Sequence, residues 1–169
     1  WLSLGKTTMP NPTYINYPGI EIKNTYTSKG KGVFASRNFH KGEVIIIYDL
    51  LRTKIKTLRQ DTLSVLTQEE KEHVRYIGNN TYVLDYAAEN MINHSCDPSA
   101  YSAYRSLSKG KIIAKRAIQK GEEITVDYTL SSVSEFNSST PWILQCDCKS
   151  PKCRKYVTSD FFQTPIPYQ

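Results

Sequence analysis

Apolar and polar residues alternate along several short segments of this chain, which is the pattern of half-buried β-strands. The first such segment is "GIEIKNTY", from Gly19, and the β-branched runs "VIIIY", "TYVLDY" and "EITVDY" are also typical of strands. One segment, "LTQEEKEHVRYI", differs: Thr67 suits a helix N-cap, Glu70 completes a capping box, and Gly78 follows the end. These patterns predict a mainly β fold with a minor helical part, including one short helix between Thr67 and Gly78.

Two segments of the chain are variants of each other. "ASRNFHKGEVI" begins at Ala35 and "AKRAIQKGEEI" begins at Ala114, and both fit the pattern Ala-x-Arg-x-apolar-x-Lys-Gly-Glu-x-apolar. The Lys-Gly-Glu triplet marks a turn, so each copy predicts a strand, a turn and a second strand. Two copies are too few for a solenoid. They predict a compact β fold with two similar corners.

The remaining segments suggest how the chain is divided. A length of 169 residues allows one domain with a small appendage. Residues 1–18 contain three prolines and predict an extended lead-in, and residues 131–145 are a Ser/Thr-rich polar spacer that buries little apolar surface. We therefore predict an ordered domain over residues 19–130 and a separate C-terminal tail over residues 146–169.

Composition narrows the classes of partner. The net charge of +6 suits an acidic partner, but the basic residues are scattered among acidic ones, so direct nucleic-acid binding is not expected. No apolar run approaches the roughly 20 residues that span a bilayer, so we expect a soluble domain without a membrane partner. The first residue is Trp1 rather than Met, which leaves the natural N-terminus and any targeting signal open.

The cysteines carry the clearest chemical signal. Cys96 stands alone, and the other three form the pattern Cys-x-Cys-x4-Cys at Cys146, Cys148 and Cys153. Four thiolates are a complete tetrahedral shell for zinc, whereas Cys146 and Cys148 are too close in sequence to bond to each other without strain. We expect one structural Zn2+ that ties the tail to Cys96. Two disulfides or free thiols are the alternatives.

Four motifs then follow one another in order: "GKGVFA" from Gly30, "NHSCDP" from Asn93, "GEEITVDY" from Gly121 and "CDCKSPKC" from Cys146. In order and separation they resemble the motifs of SET-domain protein lysine methyltransferases with a post-SET zinc tail. The resemblance implies a SET domain over residues 19–130, with a β-clip fold of small sheets and a pseudo-knot, and a short post-SET zinc tail over residues 146–169. It also implies methyl transfer from S-adenosylmethionine to a lysine of a histone or another protein.

The resemblance assigns cofactor contacts to individual residues. The backbone around Lys31 and Gly32 is expected to contact the methionine end of S-adenosylmethionine, since glycine lets a main chain approach a ligand closely. Asn93 and His94 resemble the residues whose side chain and backbone hold this cofactor. Outside the motif, His94 would be interpreted as a hydrogen-bonded core histidine.

The resemblance also points to residues at the reacting lysine. Tyr128 resembles the active-site tyrosine and Tyr48 a tyrosine that lines the lysine channel; without the motif, each would be a core ring with its hydroxyl satisfied at the edge. Val126 occupies the position where many relatives carry Phe or Tyr. If Val126 lines the substrate channel, its small side chain predicts methylation beyond the monomethyl product, and simple β-propensity is the alternative. Asp85 resembles a recurrent acidic residue with a structural role.

Two functions other than catalysis are consistent with parts of the sequence. One is a catalytically silent SET-like module that binds protein, and the other is a methyl-lysine reader with an aromatic cage, which the 12 tyrosines would suit. The first would bind the cofactor without transferring a methyl group, and the second would not bind it. The expected partner is a protein or peptide with a target lysine, inside the cell, in the nucleus or cytoplasm, or in a host nucleus for a microbial or viral protein. The oligomeric state is left open.

Overall fold

The computed structural model describes residues 17–27, 29–51, 56–131 and 143–158. Within these residues short strands predominate over helices, which confirms the predicted mainly β class. In chain order the strands are β1 (Ile20–Asn24), β2 (Lys31–Ala35), β3 (Val44–Asp49), β4 (Lys56–Arg59), β5 (Val74–Gly78), β6 (Thr81–Leu84), β7 (Asn93–His94), β8 (Ala100–Ser106), β9 (Lys109–Ala114), β10 (Glu123–Val126), β11 (Ile143–Gln145) and β12 (Tyr156–Thr158).

The described helices are short. They are α1 (Gln68–Glu72), α2 (Tyr128–Ser131) and two 3-10 helices, Gln60–Val65 and Ala88–Met91. Thr67 caps α1 as predicted: its side chain accepts the Glu70 N–H at 3.1 Å, and Glu70 Oε2 accepts the Thr67 N–H at 2.9 Å. The capping box therefore fixes where this helix begins.

The prediction that the helix continues to Gly78 is wrong. α1 ends at Glu72, and the next residues form β5, which pairs antiparallel with β6. Val74 and Tyr76 are β-branched and aromatic, so they suit a strand, and β6 supplies the hydrogen-bond partners that their backbone needs. Pairing with β6, the strand that follows directly across the Asn79–Asn80 turn, therefore outweighs the local helical pattern.

The strands form four small sheets. Their orders are β1-β2-β10-β7, β3-β9-β8, β4-β6-β5 and β11-β12. β7 pairs parallel with β10, which sets Asn93 beside Thr125 and His94 beside Val126, while the other described pairings are antiparallel. The parallel pairing brings the "NHSC" segment against the segment that leads into Tyr128.

The two copies of the repeat form two corners that contact each other reciprocally. Phe39 N–H donates to Ile118 O at 2.9 Å, and Ile118 N–H donates to Phe39 O at 3.0 Å. The turn glycines follow the same symmetry: Gly42 N–H donates to the carbonyl of Ala114, and Gly121 N–H to that of Ala35. Both glycines have positive φ, 83° and 87°, a conformation that favours glycine.

Each corner also repeats the same ion pair. Arg37 lies 2.7 Å from Glu43 in the first copy, and Arg116 lies 2.5 Å from Glu122 in the second. The glutamate also accepts a backbone N–H three residues earlier in both copies. The Arg and Glu of the repeat therefore have the same role in each corner, and the predicted similarity of the two corners is confirmed.

Three apolar clusters hold the described chain together. The largest combines side chains of the four-stranded sheet and of the β3-β9-β8 sheet with Phe39 and Ile118 from the corners. A smaller cluster, Leu58, Leu66 and Leu84, lies under the β4-β6-β5 sheet. The third is formed by Cys96, Cys146 and Val157. It joins residues 17–131, hereafter the body, to residues 143–158, hereafter the tail.

Parts of the predicted lead-in, spacer and tail lie outside the described residues. These parts are residues 1–16, 132–142 and 159–169. The end of the predicted spacer, Ile143–Gln145, is β11 and pairs with β12 of the tail. No helix in the described ranges is both long enough and apolar enough to span a bilayer.

Candidate active site and metal centre

The four-stranded sheet brings three of the sequence motifs together. β2 carries Lys31 and Gly32, β7 is Asn93–His94, and β10 ends two residues before Tyr128. Because β10 lies between β2 and β7, the residues of the three motifs share one end of the sheet. The sheet order thus explains why motifs that are far apart in sequence form one site.

Asn93 links the three strands through its side-chain amide. Its Nδ2 donates to Lys31 O at 3.0 Å and to Glu123 Oε1 at 2.8 Å. A Cβ on Gly32 would lie 2.9 Å from Asn93 Nδ2 and 2.7 Å from Glu123 Oε1. Gly32 therefore leaves the space that the amide and the carboxylate occupy. Asn93 orients the backbone of β2 in this structure.

The hydrogen bonds of His94 define its state. Nδ1 accepts the Tyr128 backbone N–H at 3.2 Å, and Nε2 lies 3.2 Å from Cys96 Sγ. An Nδ1 that accepts leaves the proton on Nε2, which then points to the sulfur. Burial lowers the pKa of His94 to about 4, although the negative charge of Asp127 acts in the opposite direction and raises it. The ring is therefore neutral near pH 7. His94 thus connects the backbone of Tyr128 to a cysteine.

Tyr128 begins α2, two residues after the last residue of β10, and lies against the His94 ring. The two ring centroids are 5.3 Å apart. The Tyr128 hydroxyl donates to Ile92 O at 2.9 Å. Burial, with a smaller contribution from Glu123, raises the pKa of Tyr128 to about 12. The phenol therefore stays protonated near pH 7 and acts as a hydrogen-bond donor.

A cavity of about 500 Å³ opens between the body and the tail. Asn93, His94 and Tyr128 contribute to its body side, together with Phe34 of β2, Glu123 of β10 and residues of the segment before β2. The tail supplies the facing wall through residues of β11, β12 and the cysteine loop. The volume is in the range of small-molecule sites, and lining from both regions makes the cavity depend on how the tail sits on the body. The lining residues are Thr25, Thr27, Lys29, Phe34, Asn93, His94, Glu123, Tyr128, Leu144, Gln145, Cys146, Asp147, Cys148, Lys149 and Val157.

The four cysteines form one cluster beside the cavity. Their sulfur atoms all lie within 4.8 Å of one another. Cys96 Sγ is 3.7 Å from Cys146 Sγ, which is 3.8 Å from Cys153 Sγ. These separations exceed a disulfide bond of about 2.05 Å, and they match the roughly 3.8 Å between sulfurs of a tetrahedron with bonds of about 2.3 Å to a metal. The cluster fits a single metal ion, with one ligand from the body and three from the tail.

Tyr48 lies away from the lining of the cavity. It is 3 % exposed within the main core, and its hydroxyl has no hydrogen-bond partner. Arg75 lies over its ring at 5.3 Å, and Gly110 leaves room for its hydroxyl. Burial raises the pKa of Tyr48. A buried, unpaired hydroxyl costs free energy, so a polar ligand that reached it would be favoured.

Lys31, Gly32 and Val126 are also absent from the cavity lining. Lys31 and Gly32 support the site through the contacts of Asn93 rather than from its surface. The Val126 side chain is 5 % exposed and packs in the main core. The roles assigned to these residues by resemblance stay predictions.

Sequence reasoning missed several charged residues that the fold buries or half-buries. Asp127, immediately before Tyr128, forms an ion pair with Arg154, immediately after Cys153. Glu123 accepts from Asn93. Glu89 is 7 % exposed, and neither of its carboxylate oxygens has a partner in hydrogen-bonding geometry, although the Tyr17 hydroxyl is near enough to affect its pKa. The signal that could have found Asp127 and Arg154 is their position directly beside motif residues.

Comparison with known proteins agrees with this site. The SET domain family model matches residues 30–129. Histone-lysine N-methyltransferase trithorax of Drosophila virilis is 29% identical over 86% of this chain, histone-lysine N-methyltransferase ATX2 of Arabidopsis thaliana is 30% identical over 76%, and a variant-silencing SET domain-containing protein of Plasmodium falciparum is 32% identical over 81%. The chain spans only 4%, 12% and 6% of these relatives, respectively.

Proposed function

Because the chain belongs to the SET-domain family, we propose that it transfers methyl groups from S-adenosylmethionine to lysine side chains of a protein substrate. The observation that carries the proposal is the cavity, where Asn93 and His94 of one motif meet Tyr128 of another. Two of the three relatives described above are named histone-lysine N-methyltransferases, which supports the reaction class and makes a histone the first substrate to test.

The cavity is the proposed site of the cofactor. S-adenosylmethionine supplies an activated methyl group, so the protein itself needs no covalent nucleophile. Asn93 and His94 line the cavity and would hold the cofactor, and Asn93 also keeps the β2 backbone at Lys31 in position. The cavity wall that comes from the tail would cover the cofactor and exclude water.

Tyr128 is proposed to position the reacting amine. With a pKa of about 12, its phenol is a poor base near pH 7 and a stable donor. The hydroxyl is directed to Ile92 O, and the His94 side chain holds the backbone N–H of the same residue. Two hydrogen bonds thus fix Tyr128 at the cavity. Tyr48 is proposed to line the lysine channel, where its unpaired hydroxyl would find a partner in the amine.

Zinc is the proposed occupant of the cysteine cluster. An all-thiolate tetrahedral set is characteristic of structural zinc, which leaves no open position for a substrate. The metal would therefore hold the tail against Cys96 and would not enter the chemistry of methyl transfer. Its contribution to catalysis is to keep the tail wall of the cavity in place.

The test is a methyl-transfer assay with labelled S-adenosylmethionine, core histones and a cell lysate, together with a direct measurement of cofactor affinity. The wild-type chain should bind the cofactor and label a lysine. Tyr128→Phe should lose most of the transfer with little change in affinity, because the missing hydroxyl belongs to the reacting centre. Asn93→Ala should weaken cofactor binding first. Binding without transfer to any protein would indicate a silent module, and absence of binding would contradict the proposal.

A further inference from the structure

A buried ion pair connects the tail to the residue before Tyr128. Arg154 Nη1 donates to Asp127 Oδ2 and Nη2 donates to Asp127 Oδ1, both at 2.6 Å. The side chains are 4 % and 7 % exposed. Two parallel short hydrogen bonds between a guanidinium and a carboxylate define both distance and orientation, which a single contact cannot do.

Asp127 is in turn tied to the candidate active site. Its Oδ1 accepts the Thr129 N–H at 3.1 Å and lies 3.7 Å from His94 Nδ1. Because Thr129 lies in α2, the hydrogen bond from its N–H links the Asp127 carboxylate to the first turn of the helix that Tyr128 begins. The partner of Arg154 is therefore part of the segment that sets the position of Tyr128.

The metal cluster alone would leave the orientation of the tail weakly defined. Only one of its four ligands, Cys96, belongs to the body. A single point of attachment permits rotation, and Val157 is the one apolar side chain that the described tail buries. Among the described residues, a second ion pair joins the tail to the body, from Lys152 to Asp97 at 3.2 Å. Its side chains are 65 % and 47 % exposed, and exposed pairs contribute little to stability. Arg154 supplies the second fixed point.

We infer that Arg154 is a positioning residue, whose ion pair with Asp127 sets the angle of the tail on the body and so brings the two walls of the cavity together beside Tyr128. The role is separate from holding the metal. The expected effect on the cofactor rests on the proposed function, but the effect on the tail does not.

The experiment compares Arg154→Met, Arg154→Lys, Asp127→Asn and the double variant Asp127→Asn with Arg154→Met, in the full chain with its metal. Lys152→Met is the matched control, because it removes the exposed ion pair of the same tail. The measurements are metal content, amide hydrogen exchange of β11 and β12, and affinity for S-adenosylmethionine. Amide exchange reports tail docking without reference to activity.

Arg154→Met should keep its metal, speed exchange in β11 and β12, and weaken cofactor binding by about tenfold or more, since it leaves a buried carboxylate without its counter-ion. Arg154→Lys should fall between this variant and wild type, because it keeps the charge but loses the paired geometry. The double variant should lose less than the sum of the two single losses. Lys152→Met should stay within about twofold of wild type.

Unchanged exchange and affinity in Arg154→Met would overturn the inference, as would loss of its metal, which would place the effect at the cluster. If Arg154→Met fails to fold, Arg154→Lys and Asp127→Asn decide by the same criteria. A wild-type chain that does not bind S-adenosylmethionine would contradict the proposed function alone. Faster tail exchange in the Arg154 variants would still support the positioning role.

Discussion

The body and the tail differ in what holds them in place. The body packs apolar side chains from two sheets and both corners into one continuous core. The tail pairs only two short strands and relies on the four-cysteine cluster, the Asp127–Arg154 ion pair and Val157. A region with so little apolar burial cannot offset the entropy of ordering its chain by packing alone. The cavity lies between the two regions, so its shape depends on the same few contacts that hold the tail in place.

Removing the metal should produce the largest difference between the two regions. Structural zinc contributes about 10–16 kcal/mol to small metal-dependent folds, whereas the core of the body does not include the cluster. With a strong chelator, or in Cys153→Ser, exchange of the amides in residues 143–158 should become fast while the unfolding transition of the body persists. Hydrogen exchange and thermal unfolding measure the two effects. If the body and the tail unfold together when the metal is removed, the two regions do not differ in what holds them in place.

A large-to-small substitution in the core of the body should have the opposite effect to metal removal, because it destabilises the body rather than the tail. Ile118 is completely buried between the two corners, so Ile118→Ala should lower the free energy of unfolding of the body by about 2–5 kcal/mol. Val157→Ala is the counterpart in the tail. It removes about 1.5 kcal/mol of apolar burial and should speed tail exchange without a comparable change in the urea midpoint of the body. Equal destabilisation of the body by both variants would show that the regions are not independent.

The body should also carry a pH dependence that does not involve the tail. Burial, reinforced by repulsion from Asp85, raises the pKa of Glu89 to about 7, from 4.5 in the unfolded chain. The folded state therefore binds this proton more tightly, and stability falls as the pH rises from about 4.5 to about 7, by up to about 3 kcal/mol. Glu89→Gln should be more stable than wild type at pH 8 and nearly equal to it at pH 4, as measured by urea unfolding.

Glu43→Gln is the control for Glu89→Gln, because folding lowers the pKa of Glu43 and raises that of Glu89. The His40 N–H and then Arg37 lower the pKa of Glu43, so its charge stabilises the folded state above the pKa of the unfolded chain. Glu43→Gln should therefore be less stable at pH 8 rather than more stable. The dependence of the stability of the body on pH that Glu89 causes should remain after the metal is removed. If this pH dependence disappears when the metal is removed, the titrating group belongs to the tail rather than to the body.

The smallest effect is expected at the edge of the body. Thr67→Ala removes the side-chain half of the capping box of α1 and should cost about 1 kcal/mol. Because α1 begins two residues after Leu66, which packs with Leu58 of β4 and Leu84 of β6, the loss should appear first as faster exchange in β4 to β6. Thr67→Ser keeps the oxygen and should restore most of the difference. No change in exchange would mean that packing, rather than the cap, maintains this segment.

Local patterns were sufficient for the features that depend on neighbouring residues. The N-cap at Thr67, the turns at Gly42 and Gly121 and the strands with β-branched runs were all predictable from sequence, because each depends on residues close together in the chain. The end of α1 was not, since β5 is stabilised by β6, which follows a turn. The segment that carries the helical pattern, residues 66–77, ends before β6, so it does not contain the strand partner of β5.

For the candidate site too, the sequence predicted the residues of the motifs but not the contacts that depend on the folded structure. The cysteine spacing alone predicted the cluster, and the motifs indicated Asn93, His94 and Tyr128, which the structure brings to one cavity. The ion pair between Asp127 and Arg154 was not predictable, because charged residues near motifs are usually solvated. Its significance comes from burial, which is a property of the folded tail and body together.

The reciprocal contact between the two corners has a consequence for how the chain folds. Each corner donates hydrogen bonds to the other, as two subunits do across a two-fold axis, although both belong to one chain. Neither corner can complete its hydrogen bonds until the early and late halves of the body meet. Closing such a long loop costs entropy before any contact is made, and proteins rich in distant contacts fold slowly. We therefore expect the body to fold on the slow timescale of β-rich domains, with the meeting of its two corners as a late, joint event.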